Sequence, residues 1–168
     1  MRNILPLFDY SGARAGSWTV VPYWQIPEGV RVLPDGAWRV GDFPIVHARS
    51  LRQLKAHLFF DADGAFLSDG ARRMPVRVEG PPFEVIGLVL DHKAAQARAI
   101  LDDGSMETLA AGALWMNDGT GRFECAARGG RSRAAFSRAA HQILLDNVVE
   151  EGGAFHLRVG DRKIPITT

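Results

Sequence analysis

The sequence has little of what marks a secreted or membrane-spanning protein. It contains a single cysteine, Cys125, so no disulfide can form within one chain. Its longest apolar stretch, Phe83 to Leu90, is far shorter than the roughly 20 residues that cross a bilayer as a helix. The first residues, Met1 to Asp9, lack the apolar region and cleavage site of a signal peptide. We therefore expect a cytoplasmic protein with no membrane partner.

The chain also has no excess of positive or negative charge. Twenty Lys and Arg residues face 19 Asp and Glu residues, which leaves a formal net charge of +1. Nucleic-acid binding by a general positive field is not expected from this balance. Any affinity for an anion must come from a local cluster, and we expect no nucleic-acid partner.

Motifs for catalysis and metal binding are missing. The five histidines show no metal-ligand spacing, and no Gly-x-Ser-x-Gly elbow occurs. The segment Asp61-Ala62-Asp63-Gly64 imitates part of a calcium loop, but Gly70 stands where the final bidentate Glu is needed. The sequence therefore predicts no metal site, no cofactor and no enzyme.

An apolar fraction of 46% is enough for a packed core, and turn signals divide the chain into short elements. Pro34-Asp35-Gly36 predicts a hairpin between two alternating segments. Ser50 predicts the cap of a helix over Leu51 to Leu58. We interpret residues 1–27, which show no sustained period, as an arm that covers the body.

The second half of the chain predicts a β-meander followed by a long helix. Strands alternate with turns from Phe83 to Ala127. Ser132 then opens a predicted helix from Arg133 to about Val149, because apolar residues recur there at helical spacing. A last hairpin is predicted from Ala154 to Ile166.

Parts of the first half recur in the second. Gly64-Ala65-Phe66 recurs as Gly153-Ala154-Phe155, and the segment Gly70 to Val76 matches Gly160 to Ile166 in a Gly-x-Arg-basic-apolar-Pro-β-branched pattern. Asp-Gly turns precede both predicted helices. The pattern predicts a duplicated hairpin, helix, hairpin unit, although turn dipeptides also recur by composition in a chain with 18 glycines.

An ordered set of short motifs runs from about Pro27 to Ile166. These motifs are Asp35-Gly36-x-Trp38, Pro44-Ile45, Leu51/Leu54/Leu58, Asp63-Gly64-x-Phe66-Leu67, Arg73, Val78-Glu79-x-x-Pro82-Phe83, Arg128, Ser137-Arg138 and Ile164-Pro165-Ile166. Together they resemble the bacterial domain-of-unknown-function 1285 family. The sequence departs from the family pattern at residues 25–29, at His47, where Arg is expected, and at Arg72, where Glu is expected.

The resemblance implies a duplicated α+β fold whose second half is similar to a pleckstrin-homology domain, as a β-meander with a long helix. We expect an arm at 1–27, a first repeat at 28–82 and a second repeat at 83–168. The resemblance also implies a cleft between the repeats that holds a small anionic, nucleotide-like ligand in a signalling role.

A basic cluster precedes the long predicted helix. Arg128, Arg131 and Arg138 surround Gly129-Gly130, and guanidinium groups beside a glycine-rich turn and a helix N-terminus suit a phosphate. The resemblance also falls on Arg128 and Arg138. The alternative is a tight turn whose arginines are solvated or paired with Glu124 and other carboxylates.

Three further residues complete the candidate ligand site. Arg73 belongs to the basic pair Arg72-Arg73, which is echoed by Arg162-Lys163 in the second repeat. The two pairs could face a ligand or could protect strand edges from aggregation. Trp38 and Phe83 could stack on a base, or could belong to the core. The lone Cys125 is a redox-sensor candidate or a small buried hydrophobe.

These observations leave two functional hypotheses. The first is a non-catalytic ligand-sensing protein with an anionic ligand between its repeats. The second is a protein–protein interaction domain without a small-molecule ligand.

Overall fold

The computed structural model describes residues 29–168, so the expected arm at 1–27 lies outside the described residues. The chain divides into two compact units, and the division falls between Pro82 and Phe83. The described chain is mostly β-strand with two helices, one in each unit, which is an α+β arrangement. Neither helix within residues 29–168 is long and apolar enough to cross a membrane.

The first unit is built on one mixed six-stranded sheet. Its elements are β1 (Val30–Val32), β2 (Trp38–Val40), β3 (Phe43–Pro44), α1 (Ala48–Ala56), β4 (Leu58–Asp61), β5 (Gly64–Ser68) and β6 (Arg73–Val78). The strand order is β3-β2-β1-β6-β5-β4. All neighbours are antiparallel except β1 and β6, which pair in parallel. The predicted hairpin at Pro34-Asp35-Gly36 is confirmed as the β1–β2 connection.

Helix α1 begins earlier and ends earlier than the sequence predicts. Its N-cap is His47, whose ring accepts a hydrogen bond from the Ser50 backbone N–H, so Ser50 lies inside the helix and is buried there. The predicted last residue, Leu58, opens β4 instead. Leu54 in the helix and Leu58 in the following strand are both buried. Their spacing of four residues therefore resembles one face of a helix, although the helix ends between them.

The second unit contains two sheets and the second helix. Its elements are β7 (Phe83–Asp91), β8 (Gln96–Leu101), β9 (Met106–Thr108), β10 (Leu114–Asn117), β11 (Arg122–Ala127), β12 (Ser132–Phe136), α2 (Arg138–Leu145), β13 (Val148–Glu151), β14 (Ala154–Val159) and β15 (Arg162–Ile166). The larger sheet has the order β10-β11-β12-β7-β8-β9, and the smaller has the order β13-β14-β15. The predicted strands and the last hairpin are confirmed, but the strands do not form one continuous meander, because β9 and β10 lie at opposite edges of the larger sheet.

The predicted long helix from Arg133 to Val149 is wrong. Ser132–Phe136 is strand β12, and α2 has only eight residues. Ser137 is the N-cap, since its hydroxyl accepts a hydrogen bond from the Ala140 backbone N–H at 3.2 Å. The apolar stripe from Phe136 to Val148 joins the end of one strand, one helix and the start of the next strand, and its spacing matches a helix by coincidence.

The duplication predicted from the sequence is present in the strand pairings. Each unit has a helix followed by a three-stranded antiparallel meander. In the first unit Leu58 pairs with Leu67, and in the second Val148 pairs with Leu157, so both partners are shifted by 90 residues. The next pair keeps the same shift, since Leu67 lies opposite Met74 as Leu157 lies opposite Ile164.

The elements before each helix correspond as well. The hairpin β1–β2 and strand β3 recur as the hairpin β10–β11 and strand β12. The parallel contact of Arg31 with Arg77 recurs as a parallel bridge between Trp115 and Thr167. Strands β7 to β9 have no counterpart among the described residues of the first unit.

One detail of the predicted alignment is wrong. Pro75 and Pro165 are equivalent, but the strand pairing places Gly64 opposite Asp61 and Ala154 opposite Glu151, so Gly64 matches Ala154 rather than Gly153. The repeated Gly-Ala-Phe motif is therefore one residue out of structural register.

Equivalent positions fill the cores of the two units. Leu54 and Leu144 lie on the two helices, and Leu67 and Leu157 lie on the central meander strands, all at 3% exposure or less. Full burial of such a side chain contributes about 1.5–3 kcal/mol to folding. The duplication is thus a repeat of packing as well as of strand order.

Candidate functional site

Trp38 and Phe83, the predicted stacking residues, belong to the core. Trp38 is 2% exposed, and its indole N–H donates a hydrogen bond to the Pro82 carbonyl oxygen at 3.0 Å. Phe83 is 1% exposed. Neither ring presents a face on which a base could stack, so this expectation is corrected.

Arg128 follows strand β11 and is held by neighbours on the β8–β9 side of the sheet. Its guanidinium donates hydrogen bonds to the Asp103 carboxylate and, at 3.0 Å, to the Ser105 hydroxyl. Its backbone N–H donates to Glu107 Oε1 at 2.7 Å. The guanidinium carbon also lies 4.6 Å from the ring centroid of Phe83. Arg128 is therefore not the free, solvent-facing guanidinium that a ligand site needs.

The Asp103 carboxylate is tuned by this arrangement. Burial alone would raise its pKa, but hydrogen bonds from Ser105 and the charge and hydrogen bond of Arg128 outweigh burial. The net effect is a lowered pKa, which keeps Asp103 ionised beside Arg128 at neutral pH.

Two further arginines near the predicted basic cluster, Arg122 and Arg133, are also held within the fold. Glu124 is 2% exposed, accepts a hydrogen bond from Asn117 Nδ2 at 2.7 Å and pairs with Arg133 at 3.2 Å. Arg122 donates to the Phe136 carbonyl oxygen at 2.9 Å. These contacts match the alternative weighed from the sequence, in which the arginines are paired within the fold.

Arg131 and Arg138 remain exposed. Arg131 lies in the turn between β11 and β12, because Gly129-Gly130 closes a hairpin and does not precede a helix. Arg138 is the first residue of α2 rather than lying two turns into it. No carboxylate within residues 29–168 is at ion-pair distance from Arg138.

Arg73 forms an ion pair that the second repeat reproduces. Its guanidinium contacts the Asp61 carboxylate and lies 3.6 Å from the ring centroid of Phe66. At the positions 90 residues later, Lys163 Nζ lies 2.5 Å from Glu151 Oε2. Both pairs join the outer strands of a meander, and both are exposed, so each adds little stability.

The structure reveals an arginine row that sequence reasoning missed. Arg39 on β2 lies directly opposite Arg31 on β1, and Arg31 lies directly opposite Arg77 on β6. Residues paired in register project from the same face of a sheet. The alternation of Arg31 with two buried valines indicates that Arg31 lies on the outer face of a strand. The parallel pairing of β1 with β6, which brings Arg77 beside it, is not visible in the sequence.

Two carboxylates and one backbone carbonyl contact the arginine row. Arg31 donates to the Gly41 carbonyl oxygen at 3.0 Å and pairs at 3.3 Å with Asp42, whose side chain is 95% exposed. Arg77 Nε lies 2.6 Å from Glu79 Oε1. No carboxylate of the described chain is at ion-pair distance from Arg39. The Nε of Arg31 is buried and has no hydrogen-bond acceptor among residues 29–168.

A row of rings lies on the same sheet face, two residues along β6 from Arg77. Phe59 on β4 lies opposite Phe66 on β5, which lies opposite Pro75 on β6. The two phenyl rings are stacked, with centroids 5.9 Å apart and an interplanar angle of 26°. Phe59 is 47% exposed, whereas Phe66 is half-buried with the Arg73 guanidinium over its ring, so Phe59 is the phenyl ring of this row that faces solvent.

Cys125 lies on the buried face of β11 with no exposed surface. Burial, with a smaller contribution from the negative charges of Glu107 and Glu124, raises the pKa of its thiol to about 12. Within residues 29–168 no three or more His, Cys, Asp or Glu side chains are grouped to hold a metal ion.

The fold is similar to that of two solved DUF1285 family proteins. The protein from Silicibacter pomeroyi DSS-3 has a TM-score of 0.65 and 20% identity, over 83% of this chain and 79% of that chain. The protein from Shewanella baltica OS155 has a TM-score of 0.55 and 13% identity, over 70% of this chain and 90% of that chain. No family model matches the sequence, and no curated protein is significantly similar to it. The resemblance stated from the sequence is confirmed at the level of the fold.

Proposed function

We propose that this chain, which has the DUF1285 fold, is a non-catalytic module that binds an anionic ligand through arginine side chains. The observation that carries the proposal is the arginine row, Arg39-Arg31-Arg77, on one face of the first unit's sheet. Guanidinium groups are always ionised and present donors that match phosphate and carboxylate oxygens.

The arginine row carries an energetic cost that the fold does not require. Like charges directly opposite each other on neighbouring strands are destabilising. The equivalent positions of the second repeat hold Glu124, Trp115 and Thr167, so the architecture is compatible with other residues there. Asp42 and Glu79 offset part of the repulsion, but pairs this exposed contribute about 0–1 kcal/mol. A bound anion would offset more of it.

The contacts of the buried carboxylates also favour binding over catalysis. Asp103 is occupied by Arg128 and Ser105, and Glu124 by Arg133 and Asn117. Carboxylates that already pair with an arginine and accept a second hydrogen bond within the fold are poorly placed to act as general acids or bases on a ligand.

Several finer expectations remain part of the proposal. They are anion contacts at Arg73, Arg131 and Arg138, a signalling role, a cytoplasmic location and a relation of the second unit to pleckstrin-homology domains. The exposed Arg138 supports a second anion contact. The eight-residue α2 gives the pleckstrin comparison less support than a long helix would.

Calorimetric titration of the full chain with inorganic triphosphate tests the proposal. We expect Arg39→Gln and Arg31→Gln each to weaken binding about tenfold, because one charge-assisted hydrogen bond contributes about 1.5–3 kcal/mol. Arg158→Gln, which removes an exposed arginine from the meander sheet of the second unit, should bind as the unmodified chain does. Equal affinity in all four proteins, or no binding to any, would overturn the proposal.

An interaction domain is the second candidate function. Val46 is 80% exposed and Phe43 is 60% exposed, both just before α1. Large exposed apolar side chains that lie close together are typical of protein–protein contact sites. Sedimentation of the chain and of a Val46→Ser variant over a range of concentrations tests whether this surface mediates self-association.

A further inference from the structure

We propose that the arginine row and the ring row together form a binding face for single-stranded nucleic acid, with phosphates on the arginines and bases on the rings. This inference rests on the proposed function, because it assigns a ligand class to the same arginine row. It extends that function to the ring row, Phe59-Phe66-Pro75.

The shape of the face favours a polymer over a small molecule. Small-molecule sites are concave and bury most of their ligand. The two rows instead lie on the open pleated surface of one sheet and meet at β6, where Arg77 and Pro75 are two residues apart. The arginine row extends from there over β1 and β2, and the ring row extends over β5 and β4. Open sheet surfaces that carry aromatic rings bind extended single strands by stacking successive bases.

The dimensions of the arginine row fit several phosphates. Neighbouring strands lie about 4.8 Å apart, so the row from Arg39 to Arg77 extends about 10 Å. The row therefore places three guanidinium groups within reach of neighbouring phosphates on one strand.

The ring row adds a second, independent observation. The equivalent positions of the second repeat are Val149, His156 and Pro165, so two phenyl rings occur on this face in the first unit alone. Half of Phe59 is exposed, although burial of such a ring would contribute to stability. Stacking on a base would cover it.

Three carboxylates near the face set the strength of binding. Asp61, Asp42 and Glu79 pair with Arg73, Arg31 and Arg77. Phosphates must compete with these exposed pairs, and the net charge of +1 supplies no long-range attraction. The expectation of no nucleic-acid partner was based on that net charge. A net charge does not show whether positive side chains are grouped locally, as they are in the arginine row. We expect binding to be weak and strongly dependent on salt.

Fluorescence anisotropy of a labelled 12-nucleotide single strand, titrated with the full chain at several salt concentrations, tests the arginine row. Arg39→Gln and Arg31→Gln should each weaken binding about five- to tenfold. Each should also reduce the steepness of the plot of log affinity against log salt by about 0.7, the value for one phosphate contact on a single strand. Arg158→Gln should change neither quantity.

Phe59→Ala and an abasic strand of the same length test the ring row. We expect Phe59→Ala to weaken binding of the normal strand several-fold and to leave binding of the abasic strand unchanged. A duplex of the same sequence should bind more weakly than the single strand. Thermal unfolding of each variant checks that the fold is retained.

The two proposals fail in different ways. If inorganic triphosphate and the abasic strand bind through the arginine row, and bases and Phe59 add nothing, the nucleic-acid inference is overturned and the anion-binding function stands. A duplex that binds as tightly as the single strand also overturns it. If the arginine variants match the unmodified chain with every probe, both proposals are wrong.

Discussion

The Arg128 guanidinium closes over the Asp103 carboxylate, whose side chain is only 3% exposed, while 26% of the Arg128 side chain remains accessible. Arg128 lies between the buried Asp103 carboxylate and solvent. It occupies the left-handed backbone region at φ 54°, where a residue other than glycine is strained. The burial of Asp103 beneath Arg128 indicates that this ion pair belongs to the packing of the second unit and not to a free surface.

Replacement of Arg128 should therefore destabilise the fold. We expect Arg128→Ala to lower the free energy of unfolding by about 3 kcal/mol, because it leaves a buried carboxylate without its partner. Alanine keeps the Cβ and the same backbone strain, so the loss reports the side chain. Urea denaturation measures it.

Arg138→Ala is the matched control for Arg128→Ala. It removes an exposed arginine of the same basic cluster and should change stability by less than about 0.5 kcal/mol. A similarly small effect for Arg128→Ala would show that the Asp103 pair is not a stabilising contact.

The lowered pKa of Asp103 predicts acid sensitivity. A carboxyl group whose folded pKa lies below its unfolded value stabilises the fold above the unfolded value, and this stabilisation is lost as pH falls through the folded value. The unfolded value is about 4. The stability difference between the unmodified chain and Asp103→Asn should thus be largest near pH 7 and shrink below about pH 4. A difference that stays constant down to pH 2.5 would contradict the assignment.

Local signals in the sequence were enough for the turns, the strands and the duplication. Asp-Gly and Gly-Gly pairs mark hairpins wherever they occur, and residues such as Pro75 and Pro165 recur in register. Helix boundaries were less accessible, because His47 and Ser137 compete with Ser50 and Ser132 as caps.

The arginine row could not be predicted because it depends on contacts between distant segments. Arg31 and Arg77 become neighbours only through the parallel pairing of β1 with β6. The pairing of Arg128 with Asp103 could not be predicted for the same reason, since Asp103 lies 25 residues before Arg128. The sequence shows which residues carry charge. Contacts between distant segments determine which of these charges are paired within the fold.

The corrected boundaries of α2 separate Ile143 from Leu144, although the predicted long helix placed both on one buried apolar stripe. Ile143, expected on the buried stripe of a long helix, is 38% exposed, whereas Leu144 is fully buried. Leu144→Ala should lower the free energy of unfolding by about 2–5 kcal/mol, and Ile143→Ala by less than about 1 kcal/mol. Thermal or urea denaturation compares them. Equal losses would show that the helix presents both residues to the core.

Removal of Asp42 should strengthen anion binding at the arginine row. Asp42 pairs with Arg31 and lies almost entirely in solvent, so Asp42→Asn frees that guanidinium without leaving a buried charge. We expect inorganic triphosphate to bind about two- to threefold more tightly at low salt, with the gain screened at high salt. Asp118→Asn, which removes an exposed carboxylate from a turn of the second unit, is the control. Equal gains in both variants would indicate a general charge effect and not a site.

Cys125 should be inert in the folded protein. Its thiol has no exposed surface, and burial raises its pKa to about 12, so very little thiolate is present at pH 8. An aromatic disulfide reagent should therefore label the native chain only as fast as the chain unfolds, and should label it at once in urea. A chain carrying Ala71→Cys and Cys125→Ala places the thiol on an exposed turn and should react within seconds under native conditions. Native labelling of Cys125 at a comparable rate would contradict its burial and would support the redox-sensor interpretation.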